Sequence, residues 1–134
     1  MPINLKPNAL EAAQNAYSPY SRLKVGAALI SKQGNIYTGC NVENASFPIG
    51  LCAERAALAA AVLAEGKHFE MKAIAVVAFN EAGIALPITP CGACRQALIE
   101  FGKDARVGFL NSGNEWMTVL AHELLPHRFE FPSP

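Results

Sequence analysis

The chain predicts an α/β fold in which one sheet is covered by helices on both sides. Three observations predict it. Helical and strand-like segments follow one another in the order αββαβαββα. The central segment Ala73-Ile74-Ala75-Val76-Val77-Ala78 is apolar on both of its faces, as suits a strand lying between two layers. The turn before Trp116 is too short for a parallel crossover, so the last two strands are expected to pair antiparallel.

Each element has a local reason. Pro7 to Ala16 reads as a first helix, with Leu10, Ala13 and Tyr17 on one face, and Ser18-Pro19 ends it. Leu23 to Ile30 and Asn35 to Cys40 read as strands joined through the hairpin turn Lys32-Gln33-Gly34. Asn41 to Gly50 is a polar loop. Cys52 to Ala64 is alanine-rich and helical, closed by Gly66. Lys72 to Phe79 is the buried strand. Cys91 to Phe101 is a further helix, closed by Gly102. Arg106 to Leu110 and Trp116 to Val119 are strands around the turn Asn111-Ser112-Gly113-Asn114. Ala121 to Leu125 is a short last helix, stopped by Pro126. Trp116 is expected to pack on its hairpin.

At 134 residues, positions 1–134 are read as a single domain. Such a chain buries roughly two thirds of its unfolded surface, enough for a core without staples. The apolar share is 51% against 16% charged, which is lean in charge for a lone domain and points to apolar surface covered by other subunits. Eleven basic residues balance eleven acidic ones, and no run of Lys or Arg occurs. A protein that grips long nucleic acid carries a basic face, so a small neutral substrate is expected instead, and no nucleic acid. Met1 to Lys6 holds no apolar run or cleavage signal, and no stretch approaches a membrane span. No membrane partner and a cytoplasmic location are the expectation.

The chemistry is concentrated in the cysteines. Four could form two disulfides in a secreted chain, but in a reducing compartment clustered cysteines more often hold metal. Cys91 and Cys94 form a C-x-x-C, and Cys52 comes with Glu54 two residues on. A structural zinc site fills four positions with protein atoms; a catalytic one uses three and leaves the fourth to water. Cys52, Cys91 and Cys94 with Glu54 as nearby proton carrier therefore imply an activated water. The alternative is a closed structural site with Cys40 as fourth ligand. Cys52 and Cys91 are expected at helix starts, where unpaired N–H groups stabilise thiolates. Three thiolates leave a zinc centre net negative, so a cation should offset them, and Arg55 is the candidate. Arg95 is assigned no catalytic role. His68, His122 and His127 lack metal-ligand spacing. Asn41 and Glu43 sit on a loop after a strand, where polar side chains can reach a ligand.

Ser18-Pro19-Tyr20-Ser21, Val25-Gly26-Ala27-Ala28, Gly39 to Ser46, Cys52-Ala53-Glu54-Arg55-Ala56-Ala57 and Pro90-Cys91-Gly92-Ala93-Cys94 together resemble the cytidine deaminases. Within them the chain is similar to the small-subunit, three-cysteine, homotetrameric branch, from about Tyr17 to Phe129. The resemblance implies a three-layer α/β/α sandwich with a five-stranded mixed sheet and one Zn2+ per subunit. It implies hydrolytic deamination of cytidine and deoxycytidine, with Glu54 moving the protons and Arg55 hydrogen-bonded to the ligand sulfurs. Asn41 and Glu43 would bind the ribose 3′-hydroxyl. Ala45, Phe47 and Phe129 would reach a pocket shared between subunits, and Leu23 would line the base.

Three places depart from the family pattern. Leu23 stands where Phe is usual and Phe47 where Tyr is common. His127-Arg128 precede Phe129 where Gly is usual after Leu-Leu-Pro. These departures leave a modified or related aminopyrimidine nucleoside as the alternative substrate. A polynucleotide editor is opposed by the neutral charge, and a non-catalytic zinc scaffold by the presence of Glu54.

Overall fold

The computed structural model describes residues 3–133. Its elements are α1 (Lys6–Ala13), β1 (Lys24–Ser31), β2 (Ile36–Cys40), α2 (Ala53–Glu65), β3 (Met71–Phe79), α3 (Gly92–Phe101), β4 (Arg106–Leu110), β5 (Trp116–Leu120) and α4 (Ala121–Leu124), with short 3-10 turns at Phe47–Ile49 and Gly66–His68. The strands form one mixed sheet in the order β2-β1-β3-β4-β5. Only β3 and β4 run parallel, joined by α3 as the crossover. β1 pairs antiparallel with β2 and with β3, and β4 with β5.

Helices cover both faces. On one, Leu5, Ala9 and Ala13 bury against Ala28, Ile30, Ala75 and Val77. On the other, α2 and α3 contribute Ala53, Ala57, Leu58, Ala61 and Leu98 to a larger core with Leu29, Ile74, Val76 and Val107. The three-layer expectation therefore holds. The layers approach closely because small residues face one another. A Cβ on Gly39 of β2 would lie 2.5 Å from both Ala53 O and Ala57 N of α2. That contact sets the height of the first turn of α2 over the sheet, and that turn carries Glu54.

The differences from the sequence reading lie at element ends. α1 stops at Ala13 rather than Ala16. Tyr17 is drawn away to make a parallel bridge with Val42, its N–H donating to Asn41 O (3.0 Å) and its carbonyl accepting from Glu43 N–H (2.8 Å). It is exposed, so it does not share a buried face with Ala13. The loop after β2 contains a 3-10 turn, Phe47–Ile49, with Pro48 as its second residue, where its missing N–H is not needed by the turn. In the last hairpin the left-handed residue is Asn114, not Gly113. Trp116 lies over Gly108, as hairpin packing requires.

Candidate active site

Two helix starts meet at the site. Cys52 and Cys91 are the residues that precede the first turns of α2 and α3, both with extended backbone, and Cys94 lies in the first turn of α3. This brings the Cys91 sulfur beside the N–H groups of Ala93 and Cys94 at the start of α3. The three Sγ atoms lie within 4.8 Å of one another. Thiolates about 2.3 Å from a tetrahedral zinc ion stand about 3.8 Å apart, so the cluster fits that ion with modest tightening. Cys40 does not belong to it, and neither does any histidine among the described residues. The closed four-thiolate arrangement is therefore not formed, and His122 instead lies 3.8 Å from Asp104.

The electrostatics separate the three thiols. Burial pushes the Cys94 thiol up, and the nearby Glu54 and Cys52 add to that. Burial would also raise Cys91, but backbone N–H groups of Cys94 and Ala93 and the Cys94 side chain outweigh it and lower the thiol. Arg55 Nη2 donates to Cys52 Sγ at 3.5 Å. That bond first, against burial, strengthens the hold of the guanidinium on its proton. Arg55 Nε is buried with no partner of its own, so the head group is committed to the sulfur side.

Glu54 is 4% exposed, one of only two buried polar side chains among the described residues. Burial pushes its carboxyl above the usual carboxylate range, against its own backbone N–H, the Cys94 side chain and Arg55, which favour the anion. A carboxyl raised in this way accepts a proton more readily than an exposed one and can give it back, as proton transfer in both directions requires.

A second polar cluster surrounds the loop before β1. Asn41 Nδ2 donates to Leu23 O (2.8 Å) and Asn41 Oδ1 accepts from Val25 N–H (2.9 Å). Glu43 Oε1 accepts from the N–H groups of Tyr20 and Ser21, both at 3.0 Å, and Oε2 takes a short hydrogen bond from the Ser21 hydroxyl. The Ser21 hydroxyl first, then the backbone donors, hold the Glu43 carboxyl below the usual range. Leu23, Asn41 and Glu43 are thus brought together, and Leu23 packs on the larger core. Phe47 is exposed and meets Tyr20 edge-on, with ring centroids 5.6 Å apart. Ala45 is exposed. Phe129 is also exposed and is held by its backbone to Gln96 on α3. Ser21 and Gln96 escaped the sequence reading. The only signal for them was proximity in sequence to a motif, Ser21 closing Ser18-Pro19-Tyr20-Ser21 and Gln96 following Cys94 by two.

Residues 4–110 match the family described as the cytidine and deoxycytidylate deaminase zinc-binding region. The chain belongs to this family. It is 43% identical to a cytidine deaminase of Halalkalibacterium halodurans over 90% of this chain and 88% of that one. The cytidine deaminase of Sporosarcina psychrophila is also 43% identical, over 89% of this chain and 84% of the other. Among solved structures, the cytidine deaminase of Burkholderia pseudomallei superposes with a TM-score of 0.82 at 45% identity, covering 93% of this chain and 96% of that one. That of Mycobacterium tuberculosis gives 0.78 at 38% identity, covering 93% and 94%. The protein is accordingly a zinc-dependent hydrolytic deaminase, and the Cys52, Cys91 and Cys94 cluster is where its metal fits.

Proposed function

We propose that the enzyme converts cytidine and deoxycytidine to uridine and deoxyuridine with release of ammonia. The observation that carries this reading is the buried Glu54 beside three convergent thiols. Zinc held by Cys52, Cys91 and Cys94 would supply a polarised water of lowered pKa. Glu54 would accept a water proton and pass it to ring N3 as the water oxygen adds at C4, then move the proton of the new C4 hydroxyl to the departing amine, so that ammonia leaves as the C4 carbonyl forms. Arg55 offsets the negative charge of the ligand set from the Cys52 side.

Asn41 and Glu43 are the proposed ribose contacts, and their bonding leaves the right capacity. A carboxylate has about four acceptor sites, of which Tyr20 and Ser21 take three. Asn41 uses one of its two amide hydrogens on Leu23. One acceptor and one donor are left, matching a single hydroxyl. Leu23 and the Tyr20–Phe47 pair would bound the base with apolar surface. Exposed Phe47, Ile49 and Phe129 support an assembly in which neighbouring subunits share the pocket, and a homotetramer is the proposed form. No helix among the described residues is long and apolar enough to cross a membrane, and the proposed location is the cytoplasm.

The test is an ultraviolet time course of the zinc-loaded protein with cytidine, run beside Glu54→Ala. Loss of cytidine absorbance with ammonia release, absent in the variant, supports the assignment. A zinc-replete protein inert on cytidine and deoxycytidine but active on a substituted aminopyrimidine nucleoside would transfer it to that substrate. Sedimentation of the active species reads the assembly, and a fully active monomer would end the shared-pocket reading.

A further inference from the structure

Arg95 and Gln96 directly follow the third thiol, and neither enters the chemistry above. Their side chains reach in two directions. The Arg95 guanidinium forks across three acceptors: Nε donates to Pro90 O at 2.7 Å, Nη2 to Thr89 Oγ1 at 3.3 Å, and Nη1 to Leu124 O at 3.0 Å. Thr89 and Pro90 lead straight into Cys91. Leu124 is the last residue of α4, so its carbonyl lies at a helix end where no further turn supplies a donor. Gln96 grips the chain again five residues later. Its Oε1 accepts from Phe129 N–H at 3.1 Å and its Nε2 donates to Phe129 O at 3.0 Å. One side chain thereby makes the two bonds that a neighbouring strand would make.

The metal loop needs such support. Cys91 is exposed, and the residue before it is proline, which has no N–H through which the loop could be tied. The loop is tied before it by Ile88 N–H to Leu110 O and by the buried Pro90 ring, and Arg95 adds side-chain bonds to the Pro90 carbonyl and the Thr89 hydroxyl. The tail needs it equally, since His127 and Arg128 occupy an exposed or half-exposed stretch between the two anchors. The backbone of His127 is not left-handed, so the departure from glycine there adds no strain.

We propose that Arg95 is a positioning residue for the Cys91 loop, and that Arg95 and Gln96 together fasten the C-terminal segment to it. Metal retention and tail order then share one anchor. A planar guanidinium can serve three acceptors lying in different directions, whereas an ammonium on a flexible stem cannot hold the same fork.

Two readouts on the zinc-loaded enzyme test this. One is the rate of zinc release to an excess colorimetric chelator. The other is tryptic cleavage of the Arg128–Phe129 bond, followed by mass. Arg95→Ala is expected to speed zinc release about tenfold or more, the usual effect of removing an outer partner of a ligand, and to speed the cleavage as well. Arg95→Lys is expected to behave like Arg95→Ala. Gln96→Ala should speed cleavage while releasing zinc at the wild-type rate. Wild-type zinc release from Arg95→Lys would overturn the positioning role, because charge alone would then suffice; this variant decides the question if Arg95→Ala does not fold. Unchanged cleavage in Gln96→Ala would overturn the tail anchor.

Discussion

Helix α2 carries a glutamate near each end, and the two are tuned in opposite directions. Glu54 lies in the first turn, where the helix dipole favours an anion; Glu65 is the last residue, where it disfavours one. The dipole alone would lower Glu54 and raise Glu65. The reverse is found. Burial raises Glu54, and the Ser31 hydroxyl first, then Asn35 and Tyr37, lower Glu65. A helix end is worth about 0.3–1 kcal/mol to an exposed charge. Desolvation of a buried carboxylate with few donors outweighs that, and so do several hydrogen bonds to a half-buried one. The helix therefore presents a carboxyl that holds its proton more tightly at one end and one that releases it more readily at the other, and the surroundings of each decide which is which.

The largest break in this comparison comes from Glu54→Gln. The amide keeps the shape of the side chain but cannot accept and return a proton. We expect kcat to fall by at least about 10²–10⁴-fold, with full zinc content and an unchanged fold. Activity within a few-fold of wild type in a zinc-replete Glu54→Gln protein would remove Glu54 from the mechanism.

A smaller effect is expected from Gly39→Ala, which alters no group in the site. The added methyl would press on Ala53 O and Ala57 N, both backbone atoms of α2, so the helix must move rather than a side chain. Overpacking of this kind costs about 1–3 kcal/mol. The displaced first turn also carries Glu54 and follows Cys52. A misplacement near 1 Å at a reacting group costs on the order of 10²-fold in rate. Thermal unfolding and kcat should therefore fall together. A protein that loses stability while keeping full kcat would show that the α2 start is positioned by the metal ligands rather than by the sheet.

The thiol cluster at the start of α2 was legible in the sequence because its parts are local. Cys52, Glu54 and Arg55 lie within one turn, Cys91 and Cys94 within another, and the alanines between them set the helix pitch. The element order, the antiparallel last hairpin and the buried β3 were legible for the same reason. What the sequence did not disclose is long-range and one-sided. Ser21 meets Glu43 across 22 positions, Arg95 meets Leu124 across 29, and Gln96 meets Phe129 across 33. A side chain bonded to a distant backbone leaves no period and no spacing rule. The early end of α1 belongs to the same class, since Tyr17 leaves the helix to pair with Val42. The anchor at Glu65 was also hidden, because its donors Asn35 and Tyr37 come from the first hairpin, about 30 residues earlier.

The smallest effect is expected from Glu65→Gln, and its value is in its pH dependence. Tyr37 Oη and Asn35 Nδ2 donate to Glu65 Oε2 at 2.9 and 3.0 Å. The amide oxygen of glutamine can still accept from them, so the variant loses charge rather than contact, and kcat should not change. The carboxyl of Glu65 is lowered in the folded protein, so its stabilisation is complete above the unfolded value near 4.3 and disappears as pH falls through the lower folded one. The gap in thermal midpoint between wild type and Glu65→Gln should therefore be widest at neutral pH and shrink progressively as pH falls below about 4. Tyr37 adds an alkaline counterpart. Partial burial first, and then its bond to Glu65, raise the phenol, so the folded protein keeps that proton longer than the unfolded chain does. That stability is complete below the unfolded value near 10 and is lost as pH rises through the folded one. Glu65→Gln should bring the Tyr37 titration, read by its ultraviolet absorbance, back toward the ordinary value. A midpoint gap that does not shrink as pH falls well below about 4 would mean that Glu65 acts at its end of α2 through packing and not as an anion, and the contrast with Glu54 would then be one of burial alone.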